Sequence, residues 1–235
     1  MTAAAPLAAY WLGRVAYDEA TALQEAVRDR LLADGGGPAD EALLLLEHPP
    51  VVTLGRRADR RHLLASPARL AALGVTVAAS SRGGDVTYHG PGQLVAYPVV
   101  RLARGVVAHV EALAAAAIAV AADAGVEARF RREPTGVFVG DDKLAAIGVH
   151  VHRRVATHGL ALNVAVDLAA FGLIVPCGLA DVRPTSLAAL TGRSLSVADV
   201  APRFAAAFAA ALGRPLALRA DADASALRFG SPSVR

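Results

Sequence analysis

The chain has one cysteine, Cys177, one methionine and one tryptophan among 235 residues, and only 5% of it is aromatic. A single cysteine excludes an intramolecular disulfide framework. The scattered histidines and lone thiol lack the spacing of a zinc-ligand set, so no metal is expected. Charge of either sign is scarce, with 24 basic and 21 acidic side chains and a formal net of +3. So mild an excess gives no case for nucleic-acid binding. The longest strongly apolar run, Leu113 to Ala122, falls short of the ~20 residues of a spanning helix, so no membrane association is expected. Met-Thr-Ala-Ala-Ala-Pro lacks the basic start and apolar stretch of a secretory signal, and a cytoplasmic location is the expectation.

Lysine is almost missing too. Of 24 Lys+Arg side chains only Lys143 is a lysine, so 24 − 1 = 23 are arginines. With abundant alanine and glycine, this is the bias that GC-rich codon usage produces. A lysine that survives it marks a place where a compact amine that can lose its proton is needed, since arginine cannot supply that chemistry. The plain alternative is a surface lysine left by chance.

What is present suits a packed protein. The hydrophobic fraction is 54% and the mean hydropathy +0.42, although alanine inflates both without adding much core volume. The length fits a single domain over 1–235, with a weakly patterned tail after about 215. Helices are predicted from Asp18, as N-cap, to about Ala33, from Ser66 to Leu73, from His109 to Asp123, and from Pro202, in the first turn, to Leu212. Strands are predicted at 42–46, 51–54, 75–78, 93–100, 126–130, 136–139, 144–151 and 159–166, with Gly140-Asp141-Asp142 as a hairpin turn. Helices mixed with hairpin-like strand pairs indicate an α+β fold.

Four segments carry chemistry. Arg82-Gly83-Gly84-Asp85-Val86-Thr87-Tyr88-His89-Gly90-Pro91-Gly92 holds four glycines and a proline in eleven residues. Such backbone can approach a ligand closely with free N–H groups, or it can simply form a turn. Lys143-Leu144-Ala145-Ala146-Ile147-Gly148 sets the lysine at the start of a strand of small and apolar residues. His158-Gly159-Leu160-Ala161-Leu162-Asn163 alternates like a half-buried strand. Pro176-Cys177-Gly178 holds the cysteine on a bend, against the ordinary expectation of an inert buried thiol.

Together, in this order and spacing, these segments resemble the lipoyl(octanoyl) transferase family. The likeness runs over about residues 40–190 and includes Glu47-His48-Pro49-Pro50-Val51-Val52-Thr53-Leu54-Gly55. It implies a mixed β-sheet flanked by helices, as in lipoate-protein ligases and the catalytic domain of biotin ligases. It also implies transfer of octanoate from acyl carrier protein to the lysine of apo lipoyl domains, those of 2-oxoacid dehydrogenase complexes and of the glycine cleavage H protein. Cys177 corresponds to the acyl-thioester nucleophile and Lys143 to its activating partner. Arg82 through His89, Ala146 to Gly148 and Gly159 to Ala161 correspond to substrate-contacting stretches, with His158 and Asn163 in support. No cofactor, neither ATP nor metal, is implied, because the acyl group arrives activated on phosphopantetheine.

The physical chemistry suits those roles. The thiolate is the nucleophile, yet only about 3% of an ordinary cysteine is ionised at pH 7. An ammonium ~4 Å away supplies ~4 kcal/mol of raw attraction at an effective dielectric of ~20, enough to make the thiolate a major species. Thioester to amide is downhill. The alternatives are an ATP-dependent lipoate or biotin ligase, an amidotransferase between protein lysines, and a non-enzymatic carrier-protein binding module. Arg56, Arg57, Arg60 and Arg61 form a candidate docking patch for acidic partners.

Overall fold

The computed structural model describes residues 4–175 and 182–219. Cys177 and the bend expected around it lie outside the described residues. In chain order the elements are β1 (Leu7–Arg14), α1 (Tyr17–Leu32), β2 (Ala42–Glu47), β3 (Val51–Leu54), α2 (Pro67–Ala72), β4 (Thr76–Ala79), β5 (Val86–His89) and β6 (Gln93–Arg101). They continue with α3 (Gly105–Asp123), β7 (Arg129–Arg132), β8 (Thr135–Val139), β9 (Asp142–His152), β10 (Val155–Asn163), α4 (Leu187–Thr191), α5 (Val197–Ala211) and β11 (Leu216–Arg219).

The main sheet has the order β11-β1-β2-β6-β10-β9-β8-β7. β1 runs parallel to β2 and β11, while every other neighbouring pair is antiparallel. A small sheet, β4-β3-β5, stands apart from it. The fold is the expected α+β architecture, a mixed sheet flanked by helices.

The apolar runs decide where the layers go. In β2, Leu43 and Leu45 face a core formed with α3 and α5, whereas Leu44 and Leu46 face a second core under α1. β6 divides the same way, with Leu94, Ala96 and Val100 on one face and Val95, Tyr97 and Val99 on the other. A run apolar at every position is what a strand needs when helices cover both faces. Each such leucine contributes roughly 1.5–3 kcal/mol by leaving water. β10 corrects the half-buried expectation for the same reason. All nine of its residues are buried, because α1 covers one face and α3 the other.

The other differences have local causes. β1 and β11 were not anticipated, and Leu216–Arg219, at the start of the weakly patterned tail, joins the sheet by parallel pairing with β1. α1 begins at Tyr17, so Asp18 is not its cap but an acid in its first turn, where the helix dipole favours it. α3 starts four residues before His109. α5 starts five residues before Pro202, because the Ser196 hydroxyl accepts from the Asp199 N–H at 3.1 Å and so begins a helix that the proline then sits inside. α3 is also long and apolar enough to cross a membrane by length and composition, contrary to the expectation from the shorter apolar run. Here its Ala112, Leu113, Ala116, Ala117 and Val120 pack in the core against the sheet and α5.

Phe204 and Phe208 of α5 are fully buried and stack with ring centroids 6.3 Å apart. Phe204→Ala is expected to cost about 3–5 kcal/mol. The check is the midpoint and slope of urea unfolding, with the slope unchanged.

Candidate active site

A cleft forms where the glycine-rich segment crosses the middle of β9 and β10. It is lined by Arg82 through Thr87, His89, Ala146, Ile147, Gly148 and His158 through Ala161, together with Tyr17, Tyr97 and Thr135. Small residues allow the crossing. A Cβ on Gly148 would come within 3.0 Å of the Gly83 carbonyl, and the Gly83 N–H donates to the Val149 carbonyl at 3.0 Å. A Cβ on its cross-strand partner Gly159 would stand 2.3 Å from the Ala96 carbonyl of β6. A side chain at Gly159 requires backbone movement, and one at Gly148 requires the Gly83 carbonyl to give by a few tenths of an ångström.

Beneath the cleft a line of hydrogen bonds runs through side chains, and one backbone carbonyl fixes its direction. Asn163 Nδ2 donates to the Thr185 carbonyl at 2.9 Å, so Asn163 Oδ1 must accept. Gln93 Nε2 therefore donates to it at 2.9 Å, which turns Gln93 Oε1 towards His89. His89 then carries its proton on Nδ1 and donates at 2.7 Å. His89 Nε2 is left to accept from the Thr53 hydroxyl at 3.5 Å. Thr53 Oγ1 in turn accepts from Arg82 at 2.8 and 3.2 Å.

Burial holds the neighbouring imidazoles neutral. His89 lies well below its ordinary value because of desolvation, then the charges of His48 and Arg82. His48 and His158 are each lowered to about 4, again chiefly by burial. His158 also has a left-handed φ of 57°, which costs a β-strand residue energy. Its N–H donates to Gln24 Oε1 at 2.6 Å and its Nε2 meets Ser81 Oγ at 2.8 Å, and these bonds hold it there.

Lys143 is no solvent-facing strand end. It is 7% exposed, with Nζ 5.3 Å from the centre of the Phe138 ring. It borders a small cavity with Thr87, Gln93, Ala146, Asn163 and Phe171, and two of these residues, Thr87 and Ala146, also line the main cleft. Its backbone holds the chain on the far side of 176–181. The Lys143 N–H donates to the Arg183 carbonyl at 2.7 Å, and the Thr185 N–H donates to the Lys143 carbonyl at 3.0 Å. On the near side, the Val175 N–H donates to the His62 carbonyl at 2.8 Å. His62 pairs through its imidazole with Asp85 of the glycine-rich segment.

Three of the four segments read from the sequence thus converge, with particular exceptions, while Pro176-Cys177-Gly178 lies outside the described residues. Tyr88 turns away from the cleft and packs edge-on against Phe171. Alternation along β5 puts Thr87 and His89 on the cleft side and the side chains of Val86 and Tyr88 in a separate core. Asp85 is committed to the backbone N–H of Asp59 and to His62. Asn163 borders the Lys143 cavity rather than the main cleft. Sequence reasoning missed Tyr17, Tyr97 and Thr135 in the lining and Thr185 in the line. A polar residue at a strand position flanked by apolar ones, as Tyr97 is, was the available signal for the second.

The family model described as the lipoyl protein ligase A/B catalytic domain matches residues 16–209. The octanoyltransferase of Chloroflexus aurantiacus is 44% identical over 227 residues, covering 94% of this chain and 99% of that protein. The octanoyltransferase of Solibacter usitatus is 46% identical over 201 residues, covering 84% and 89%. Among solved structures, a lipoate-protein ligase A bound with ATP superposes with a TM-score of 0.73 at 14% identity, covering 97% of each chain. Ta0514 of T. acidophilum, named as a lipoate protein ligase, also gives 0.73 at 14% identity and covers 95% of this chain and 92% of that one. At such identity these two structures establish the shared fold.

The buried histidines set an acid limit. His48, His109 and His158 titrate near 4 when folded and near 6.5 when unfolded. Between those values the unfolded chain binds more protons, so stability is complete above about pH 6.5 and falls as pH drops towards 4. With His89 also held well below its ordinary value, the uptake on unfolding around pH 5 is expected to reach roughly three to four protons, a slope of about 4–5 kcal/mol per pH unit. Urea unfolding measured from pH 7 to 4 checks it, and a flat midpoint would contradict it.

Proposed function

Because the chain belongs to the lipoyl protein ligase A/B catalytic-domain family, we propose a two-step octanoyl transfer through a thioester on Cys177, with Lys143 moving the proton. Octanoyl transfer is the activity for which its relatives at 42–46% identity are named, and this chain is an acyltransferase of that kind. One observation carries the mechanism. The only lysine of the chain is buried and borders a small cavity that shares Thr87 and Ala146 with the cleft that the three motifs build.

The donor is an octanoyl thioester on the phosphopantetheine arm of acyl carrier protein. Cys177 thiolate attacks its carbonyl carbon, the new C–S bond forms, and the carrier thiol leaves with the proton of the Lys143 ammonium. The amine of a lipoyl-domain lysine then attacks octanoyl-Cys177. The amide bond forms, the proton of the incoming amine passes to Lys143, and the Cys177 thiolate is restored. An arginine would keep the charge but could not return the proton. The sequence needs neither ATP nor metal, because the thioester enters already activated.

The walls at Ala146–Gly148 and Gly159–Ala161 suit an unbranched chain. Six buried methylenes contribute about 5 kcal/mol at ~0.8 each. The cleft encloses only about 60 Å³, so seating eight carbons requires rim side chains such as Ile147 and Arg82 to part. Arg56, Arg57, Arg60 and Arg61 are all exposed beside the glycine-rich segment. They supply a basic landing surface for the acidic carrier and acceptor domains.

Incubation with octanoyl carrier protein is expected to add one octanoyl group, about 126 Da as C8H14O, to the wild-type chain in an intact mass spectrum. Cys177→Ser is expected to show no thioester adduct. Lys143→Arg is expected to form it at least about a hundred-fold more slowly. A requirement for ATP would favour the ligase reading instead. Charge reversal at Arg56, Arg57 and Arg60 is expected to raise KM for the protein substrates about ten-fold at low salt with kcat nearly unchanged. The check is steady-state kinetics across a salt series.

A further inference from the structure

A second cavity lies at the other end of the main sheet. β6 leaves Gln93 at the active-site end and reaches this cavity at Val100 and Arg101, about 23–26 Å away at ~3.3 Å per residue. Its volume is about 560 Å³, within the ~300–1,000 Å³ of small-molecule sites. Ala5, Val100, Leu102, Ala108 and Leu212 give it apolar walls.

Four arginines line it, Arg101, Arg104, Arg154 and Arg214, against one acid, Glu41, a formal excess of 4 − 1 = +3. Glu41 pairs with Arg214. The other three donate to backbone carbonyls of Leu31, Ala211 and Leu102. Those bonds orient the guanidinium groups without neutralising them, and none of the three has a carboxylate partner among the described residues. α3 begins at this wall with Arg104 as its N-cap and no acid in its first turn, so the positive end of its dipole is uncompensated.

His109 sits one turn into that helix. It is 3% exposed, with its ring edge-on to Phe208 at 6.0 Å, and neither ring nitrogen has a hydrogen-bond partner among the described residues. Its nitrogens face away from the open space of the cavity, so the imidazole contributes wall rather than a contact. Burial lowers it to about 4, so near neutral pH it adds no charge there.

We propose that this cavity is a second binding site for a single-chain amphipathic carboxylate. The chain lies along the apolar wall, and the head sits among the arginines and the start of α3. No aromatic ring other than that imidazole lines the cavity, so nothing there would stack a nucleotide base. A neutral lipid would leave the three guanidinium charges unanswered. The site is independent of the acyl-transfer reading.

The probe is carboxyl-labelled decanoate, titrated into the full-length protein by NMR and calorimetry, with decanol as its uncharged analogue. Wild type and Gly148→Val, which obstructs the catalytic cleft, are expected to bind decanoate equally well. Arg104→Glu, an exposed substitution, and Ala108→Trp, which fills the cavity, are each expected to weaken it about ten-fold or more, and decanol is expected to bind about ten-fold more weakly than decanoate. Absence of saturable binding, loss of it only in Gly148→Val, or equal binding of decanol would overturn the proposal.

Discussion

Two backbone hydrogen bonds at Lys143, to the Arg183 carbonyl and from the Thr185 N–H, hold the site together. They extend the edge of β9 by one bridge and so tie residues 183–185 to the strand that carries the amine. With Val175 held at the His62 carbonyl on the other side, the ends of the segment containing Cys177 are fixed relative to the lysine. Loops that carry chemistry act precisely only when such anchors position them.

The same anchor orients the polar line under the cleft. Because the Thr185 carbonyl can only accept, it dictates in turn the orientations of Asn163 and Gln93, the tautomer of His89 and the approach of Arg82 to Thr53. Every member is satisfied, which is the condition under which a buried polar network adds rigidity rather than cost. The histidines therefore act as neutral struts. In the proposed mechanism it is the Lys143 amine that carries the proton.

Much of this was legible before any coordinates. The glycine-rich segment, the Ala146–Gly148 stretch and the His158–Ala161 stretch do form one cleft, because their small residues let backbone cross backbone, and small residues show in a sequence. The strands at 42–46 and 93–100 were likewise legible in their apolar runs. What stayed hidden depends on partners far apart in the chain. Leu216–Arg219 becomes a strand only by pairing with Leu7–Arg14, some 200 residues away, and Leu7–Arg14 by pairing with it and with β2. Pro202 pointed to a helix start until the Ser196 cap placed the start five residues earlier. Tyr88 looked like a ligand contact by position in the motif, yet strand alternation turns it into the core. Thr185 carries no signal of its own, since its part is played by its backbone.

The central claim is that the lone lysine activates the lone cysteine, and the chain's composition makes it directly measurable. With one thiol in the sequence, the pH dependence of iodoacetamide alkylation reports Cys177 alone. The account predicts that alkylation in the wild-type protein is already fast at neutral pH, and that Lys143→Met moves the profile towards the ordinary thiol value by about one unit or more. Coincident profiles for the two proteins would contradict it.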